Sequence, residues 1–91
     1  MQSWLVEAYL ARSEAEELGC LAGRARVAAE ALAEEGIPVR YDHSTFVPDD
    51  ELCLHFFRSD SADAVAETLR RAAVAYERIV EAHGTERGGS R

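Results

Sequence analysis

The chain contains no lysine; its ten basic residues are all arginine. Schiff-base and lysine general-base chemistry are thereby excluded. Cysteine is scarce too, and Cys20 and Cys53 stand in patterned segments rather than in a dense, loop-rich framework, so free thiols in a reducing compartment are expected and no disulfide. No apolar run approaches the roughly 20 residues of a membrane span. The opening Met1-Gln2-Ser3-Trp4 lacks the basic and apolar blocks of a signal peptide. A soluble, cytoplasmic protein is the expectation. Positive charge is short as well: 17 acids against 10 arginines leave a net charge of -7. That field repels phosphate backbones, and nucleic acid is excluded as a partner. Gly-rich phosphate loops, CxxC and HExxH are absent.

What is present is one domain's worth of patterned chain. The 91 residues suffice for a two-layer core but not for separate cofactor and substrate domains. Residues 3–10, SWLVEAYL, carry Glu7 as their one charge and read as a central strand. Ser13 and Glu16 stand at capping-box spacing and predict a helix start. Leu18, Ala22, Ala25, Ala29 and Leu32 then give a narrow apolar stripe, and Gly36 with Pro38 ends it. From Val39 the period becomes two: Val39, Tyr41, His43, Thr45 and Val47 are read as the face turned to the helices. Pro48-Asp49-Asp50-Glu51 supplies a turn, and Leu52 to Arg58 returns as a second hairpin strand. Ser59-Asp60-Ser61 offers caps for a helix with Ala62, Val65, Ala66, Leu69 and Ala73 inward. Tyr76 to Ala82 predicts the last strand, and residues 84–91 a flexible tail after a domain at 1–83.

Strand, helix, hairpin, helix, strand is the βαββαβ order of an α+β ferredoxin-like fold. Right-handed crossovers place both helices on one face of a four-stranded antiparallel sheet, with the first and third strands central. The other face stays bare and apolar, which predicts a homodimer packed sheet to sheet or closed into a shared barrel.

The segments Leu5-Val6-Glu7, Gly36-Ile37-Pro38-Val39-Arg40, Ser44-Thr45-Phe46-Val47-Pro48-Asp49-Asp50, Cys53, Val65-Ala66-Glu67 and Arg78-Ile79-Val80-Glu81 together resemble a small bacterial domain-of-unknown-function family typified by a nickel-binding protein. The resemblance spans about residues 3 to 82 and implies a ferredoxin-like fold, an often dimeric assembly and a capacity for nickel. Thr68 stands where many relatives carry a His, and Val74-Ala75 where they carry Gly-x-Pro.

Strand alternation groups Glu7 with Leu5 and Tyr9, and His55 with Cys53 and Phe57. If Val47 faces Leu52 across the hairpin, Ser44 faces His55 and Asp42 faces Phe57. Glu7, Cys53, His55, Ser44, Asp42 and Arg40 would then gather on the bare face. Imidazole, thiolate and carboxylate suit nickel, zinc or copper, so His55, Cys53, Glu7 and Asp42, with His43, are the candidate metal ligands. The alternative is that Cys53 packs as a small apolar residue and His55 as a hydrogen-bonded interface residue. His43 alternates toward the helices, where a packed neutral imidazole is the commoner role. His83 with Glu81 or Glu86 could hold a surface metal, and Asp49-Asp50-Glu51 lacks the ligand spacing of a calcium loop.

An enzyme reading makes His55 the acid or base and Glu7 its partner in isomerisation or cyclisation of a small substrate, with Tyr9, Ser44 or Arg40 orienting an oxygen. A Cys53–His55 nucleophile pair is disfavoured, because neighbours on one strand seldom align for proton transfer. The leading expectation is a non-catalytic homodimer that binds nickel or a similar divalent metal. Behind it stand a small-molecule enzyme or carrier with its pocket at the sheet face, and a plain assembly module.

Overall fold

A computed structural model describes residues 1–84. The tail predicted at 84–91 lies, from residue 85 on, outside the described residues. The order is β1 (Gln2–Tyr9), a 3-10 segment (Arg12–Glu17), α1 (Leu18–Glu34), β2 (Val39–Val47), a 3-10 turn (Pro48–Asp50), β3 (Leu52–Ser59), α2 (Ala62–Ala72) and β4 (Arg78–Ala82). The strands form one antiparallel sheet in the order β2-β3-β1-β4. This is the ferredoxin-like α+β arrangement, with β1 and β3 central. No helix among the described residues is long and apolar enough to cross a membrane.

The core lies between the sheet and the helices. Val6, Val39 and Phe57 from the strands meet Ala25, Ala29 and Leu32 of α1 and Val65 and Leu69 of α2. Alanine at the α1 positions lets that helix approach the sheet closely. Burying a side chain the size of Phe57 contributes about 2–3 kcal/mol. Leu5, Leu54, Phe56 and Val80 occupy the opposite face, half-buried and uncovered by any described element.

Two helical details differ from the sequence reading. The first helix does not start on a Ser13 cap: a 3-10 segment with Ala11 at its head comes first, and α1 begins at Leu18. The reason lies across the chain, where Glu51 accepts the Arg12 N–H at 2.7 Å and Asp49 accepts the Arg12 guanidinium at 2.8 Å. These bonds tie the segment's start to the hairpin turn. In α2 the inward stripe is Ala64, Val65, Thr68, Leu69 and Ala72, rotated from the predicted one. Ala73 is exposed and ends the helix in the left-handed region, at φ 56°. Thr68 satisfies its buried hydroxyl by donating to the Ala64 carbonyl at 2.8 Å.

Candidate functional site

Register decides which side chains can meet. His55 lies opposite Val6 and Cys53 opposite Ala8, all four buried on the helix side, whereas Glu7 lies opposite Leu54 on the uncovered side. The expected gathering of Glu7 with Cys53 and His55 on the bare face is therefore corrected: the groups sit on opposite faces. Alternation along β1 and along β3 holds. What it could not supply was the relation between strands, since both faces of β1 and β3 carry apolar residues and either assignment buries some of them. Glu7 instead receives two hydrogen bonds from Arg78, each 3.0 Å, and that guanidinium holds its carboxyl below the usual carboxylate range.

The hairpin contains a bulge. Ser44 faces His55 as expected, but Tyr41, not Asp42, faces Phe57, and His43 faces Phe56, so Asp42 is the extra residue. His43 consequently points away from the helices. Its ring stacks on Phe56 with centroids 4.3 Å apart, and it lies 3.5 Å from the exposed Asp42 carboxylate. Tyr41 is on the helix side, where its ring packs edge-on against Phe57 at 5.5 Å and lies under the Arg26 guanidinium.

A continuous line of side chains results. Tyr41 Oη and Ser44 Oγ are 2.7 Å apart, Ser44 Oγ and His55 Nδ1 are 2.7 Å apart, and His55 Nε2 lies 3.5 Å from Cys53 Sγ. Burial lowers the His55 pKa and raises that of the Cys53 thiol. Both groups are therefore neutral near pH 7. Either tautomer completes the line, because each hydroxyl can donate or accept.

Cys53 and His55, both buried, border a cavity of about 350 Å³ between the sheet, the start of α1 and the link from α2 to β4. Its walls include Ala8, Leu10, Leu21 and Val74, with Glu14 and Glu17 from the 3-10 segment beside them. Arg24 also borders it, yet its guanidinium already donates to the Ala72 and Ala73 carbonyls at 2.8 and 3.0 Å. That clamp fixes the end of α2 against α1. The remaining charges beside the cavity are those of the two glutamates.

The donor set proposed for nickel does not assemble. Among the described residues no three His, Cys, Asp or Glu side chains come together to hold a metal ion. Cys53 and His55 alone fit: a tetrahedral ion about 2.3 Å from sulfur and 2.0–2.1 Å from nitrogen would separate those atoms by about 3.5 Å, the spacing observed. Glu7, Asp42 and His43 are all turned away from that pair.

Most of the remaining candidates are engaged in structural contacts. Glu51 binds Arg12 N and Tyr9 Oη and takes a left-handed φ of 50°, and Asp49 pairs with Arg12, so the acidic turn anchors the 3-10 segment. His83 lies 3.4 Å from Glu81 at an exposed edge, and Glu86 is outside the described residues. Arg40 is exposed opposite Arg58. Sequence reasoning placed Tyr41 toward the helices but missed it as a site residue, because it set Ser44 and His55 on the opposite face and the bulge brings Ser44 to Tyr41. No family model, curated protein or solved structure matches the chain.

Proposed function

We propose that this protein binds a small organic molecule in the cavity beside Cys53 and His55, and that the neutral imidazole can exchange a proton with it. One observation carries the reading: a fully buried histidine, bonded at Nδ1 to a hydroxyl and at Nε2 lying 3.5 Å from a buried thiol, borders a cavity of about 350 Å³. That size falls within the range of ligand pockets, roughly 300–1,000 Å³. A neutral imidazole is competent as a base near pH 7. A cytoplasmic setting keeps the thiol reduced. Assembly as a homodimer through Leu5, Leu54, Phe56 and Val80 belongs to the same proposal, since a second copy would cover a sheet face that no described element covers.

The test is a fragment screen followed by NMR. Fragments should shift the resonances of Ala8, His55 and Val74 together, and Ala8→Leu, which fills the cavity, should abolish the shifts while the rest of the spectrum keeps its dispersion. A screen at millimolar concentration that moves none of these three would end the proposal.

Binding of nickel or a similar divalent metal is a second reading. It is favoured by the tetrahedral spacing of Cys53 Sγ and His55 Nε2, and requires its other ligands from a bound molecule or from water. Calorimetric titration with nickel and zinc separates the two readings: uptake tighter than micromolar, lost in His55→Ala, selects the metal.

A further inference from the structure

Cys53, although only 1% exposed, borders the cavity, and its sulfur lies 3.5 Å from a base, His55 Nε2. In one of its two tautomers the line of hydrogen bonds leaves that base free to accept the thiol proton. With the Cys53 S–H donating to His55 Nε2, the ring's Nδ1–H donates to Ser44 Oγ, the Ser44 hydroxyl donates to Tyr41 Oη, and the half-buried Tyr41 hydroxyl is left to donate outward. Tyr41 borders a second cavity, of about 290 Å³, beside Arg26 and Arg40. A proton that leaves the thiol therefore arrives on a ring already fixed in plane from its far side. Nucleophile, base and orienting group within reach of one another are the parts of an activated nucleophile.

From this geometry we infer that Cys53 is a nucleophile toward small carbon electrophiles admitted to the cavity, with His55 as its base and Ser44 and Tyr41 as positioning residues. The inference rests on the cavity as a binding site. With an activated alkene, the sulfur–carbon bond forms at the β-carbon, the thiol proton passes to His55 Nε2 and then to the α-carbon, and nothing leaves. With an alkyl halide, the sulfur–carbon bond forms, the carbon–halogen bond breaks, halide departs with the electron pair, and His55 keeps the proton until solvent removes it. Glu14 and Glu17 beside the cavity, with Arg24 committed to carbonyls, select against anionic reagents.

Iodoacetamide and iodoacetate test the inference, with mass spectrometry as the readout and Cys20→Ser as the background, which leaves Cys53 as the sole thiol. Folded protein should be alkylated at Cys53, with a preference for iodoacetamide over iodoacetate at least tenfold greater than in urea. His55→Gln should slow the reaction on the order of 10²-fold, the scale of a lost general base. Ser44→Ala should slow it less, Ser44→Thr should restore the rate, and Tyr41→Phe should have the smallest effect. Should His55→Gln not fold, the Ser44→Ala and Ser44→Thr contrast decides, because a merely structural serine would not set the alkylation rate of a chain that remains folded. Alkylation at an unchanged rate in these variants overturns the nucleophile and leaves the cavity standing. A Cys53 that is inert in the folded chain while fragments bind does the same; inertness without fragment binding removes both.

Discussion

Ser44→Ala is the substitution that most directly tests the buried line. Ser44 Oγ is 2.7 Å from both His55 Nδ1 and Tyr41 Oη, so the change strips two groups of a partner at once. They are not equal losses. His55 is 0% exposed, and its Nδ1 has no water to turn to, which costs about 1–3 kcal/mol. Tyr41 is half-buried and can rehydrate, so its share is the net value of an ordinary hydrogen bond at most, about 0.5–1.5 kcal/mol. A total near 2 kcal/mol follows, equivalent to a fall in Tm of roughly 8–15 °C for a domain of this size. Urea unfolding followed by the fluorescence of Trp4, the single tryptophan, measures it. The exposed neighbour Thr45→Ala provides the reference and should stay within about 0.5 kcal/mol of wild type. In a cycle with Tyr41→Phe the two changes should fall short of additivity by more than about 0.5 kcal/mol, because they share one hydrogen bond. A Ser44→Ala cost no larger than that of Thr45→Ala, or strict additivity with Tyr41→Phe, would refute the continuous line.

Stability should also depend on pH in a way that identifies His55. Burial holds its pKa below the ordinary 6.5, so protonation favours the unfolded chain; between the depressed native value and 6.5 the unfolded state binds more protons, and stability falls as pH is lowered through that window, by up to about 1.4 kcal/mol per unit. Cys53 acts at the other end, its raised thiol pKa removing stability as pH climbs past 9.0. The arginine-paired Glu7, Glu35 and Glu67, all held low, add a separate loss below 4.5. Urea midpoints measured from pH 4.5 to 10 should show the His55 slope in wild type and not in His55→Gln; identical profiles would count against the buried neutral imidazole. For the assembly, light scattering should find a dimer at micromolar concentration and a monomer after Leu54→Arg, which puts a charge in the middle of the uncovered face. A wild-type monomer would exclude that interface.

Most of the fold was legible because it depends on local period. Apolar alternation marked the strands, and the Ala-rich three-and-four stripes marked both helices. The start of α1 was not legible: a capping-box pattern at Ser13 and Glu16 competes with the tertiary bonds from Arg12 to Asp49 and Glu51, and the tertiary bonds prevail. The site was legible in part. The pairing of Ser44 with His55 follows from the turn alone, yet the placement of Glu7 requires a relation between β1 and β3 that no single strand contains.

The bulge shows how one residue controls the site. In a regular strand, residues three apart point to opposite faces, so Tyr41 and Ser44 could not meet. Their hydroxyls are 2.7 Å apart because Asp42 is unpaired and the alternation slips by one. The slip is written in the sequence as a change of phase. Val39 and Tyr41 turn inward at odd positions, while Ser44 and Phe46, which packs with Ala8, Leu10 and Cys53, turn inward at even ones. A single period of two from Val39 to Val47 fits the first half of β2 and fails in the second. It sends His43 to the helices and Ser44 and Phe46 to the open face, the reverse of their places. Without the slip, keeping Ser44 opposite His55 would bring Arg40 and Asp42 against the core in place of Val39 and Tyr41, and two unpaired charges there would cost more than the bulge does. The same local irregularity thus buries the apolar start of β2 and delivers the tyrosine that completes the line to His55. It couples the stability of the fold to the geometry of the site.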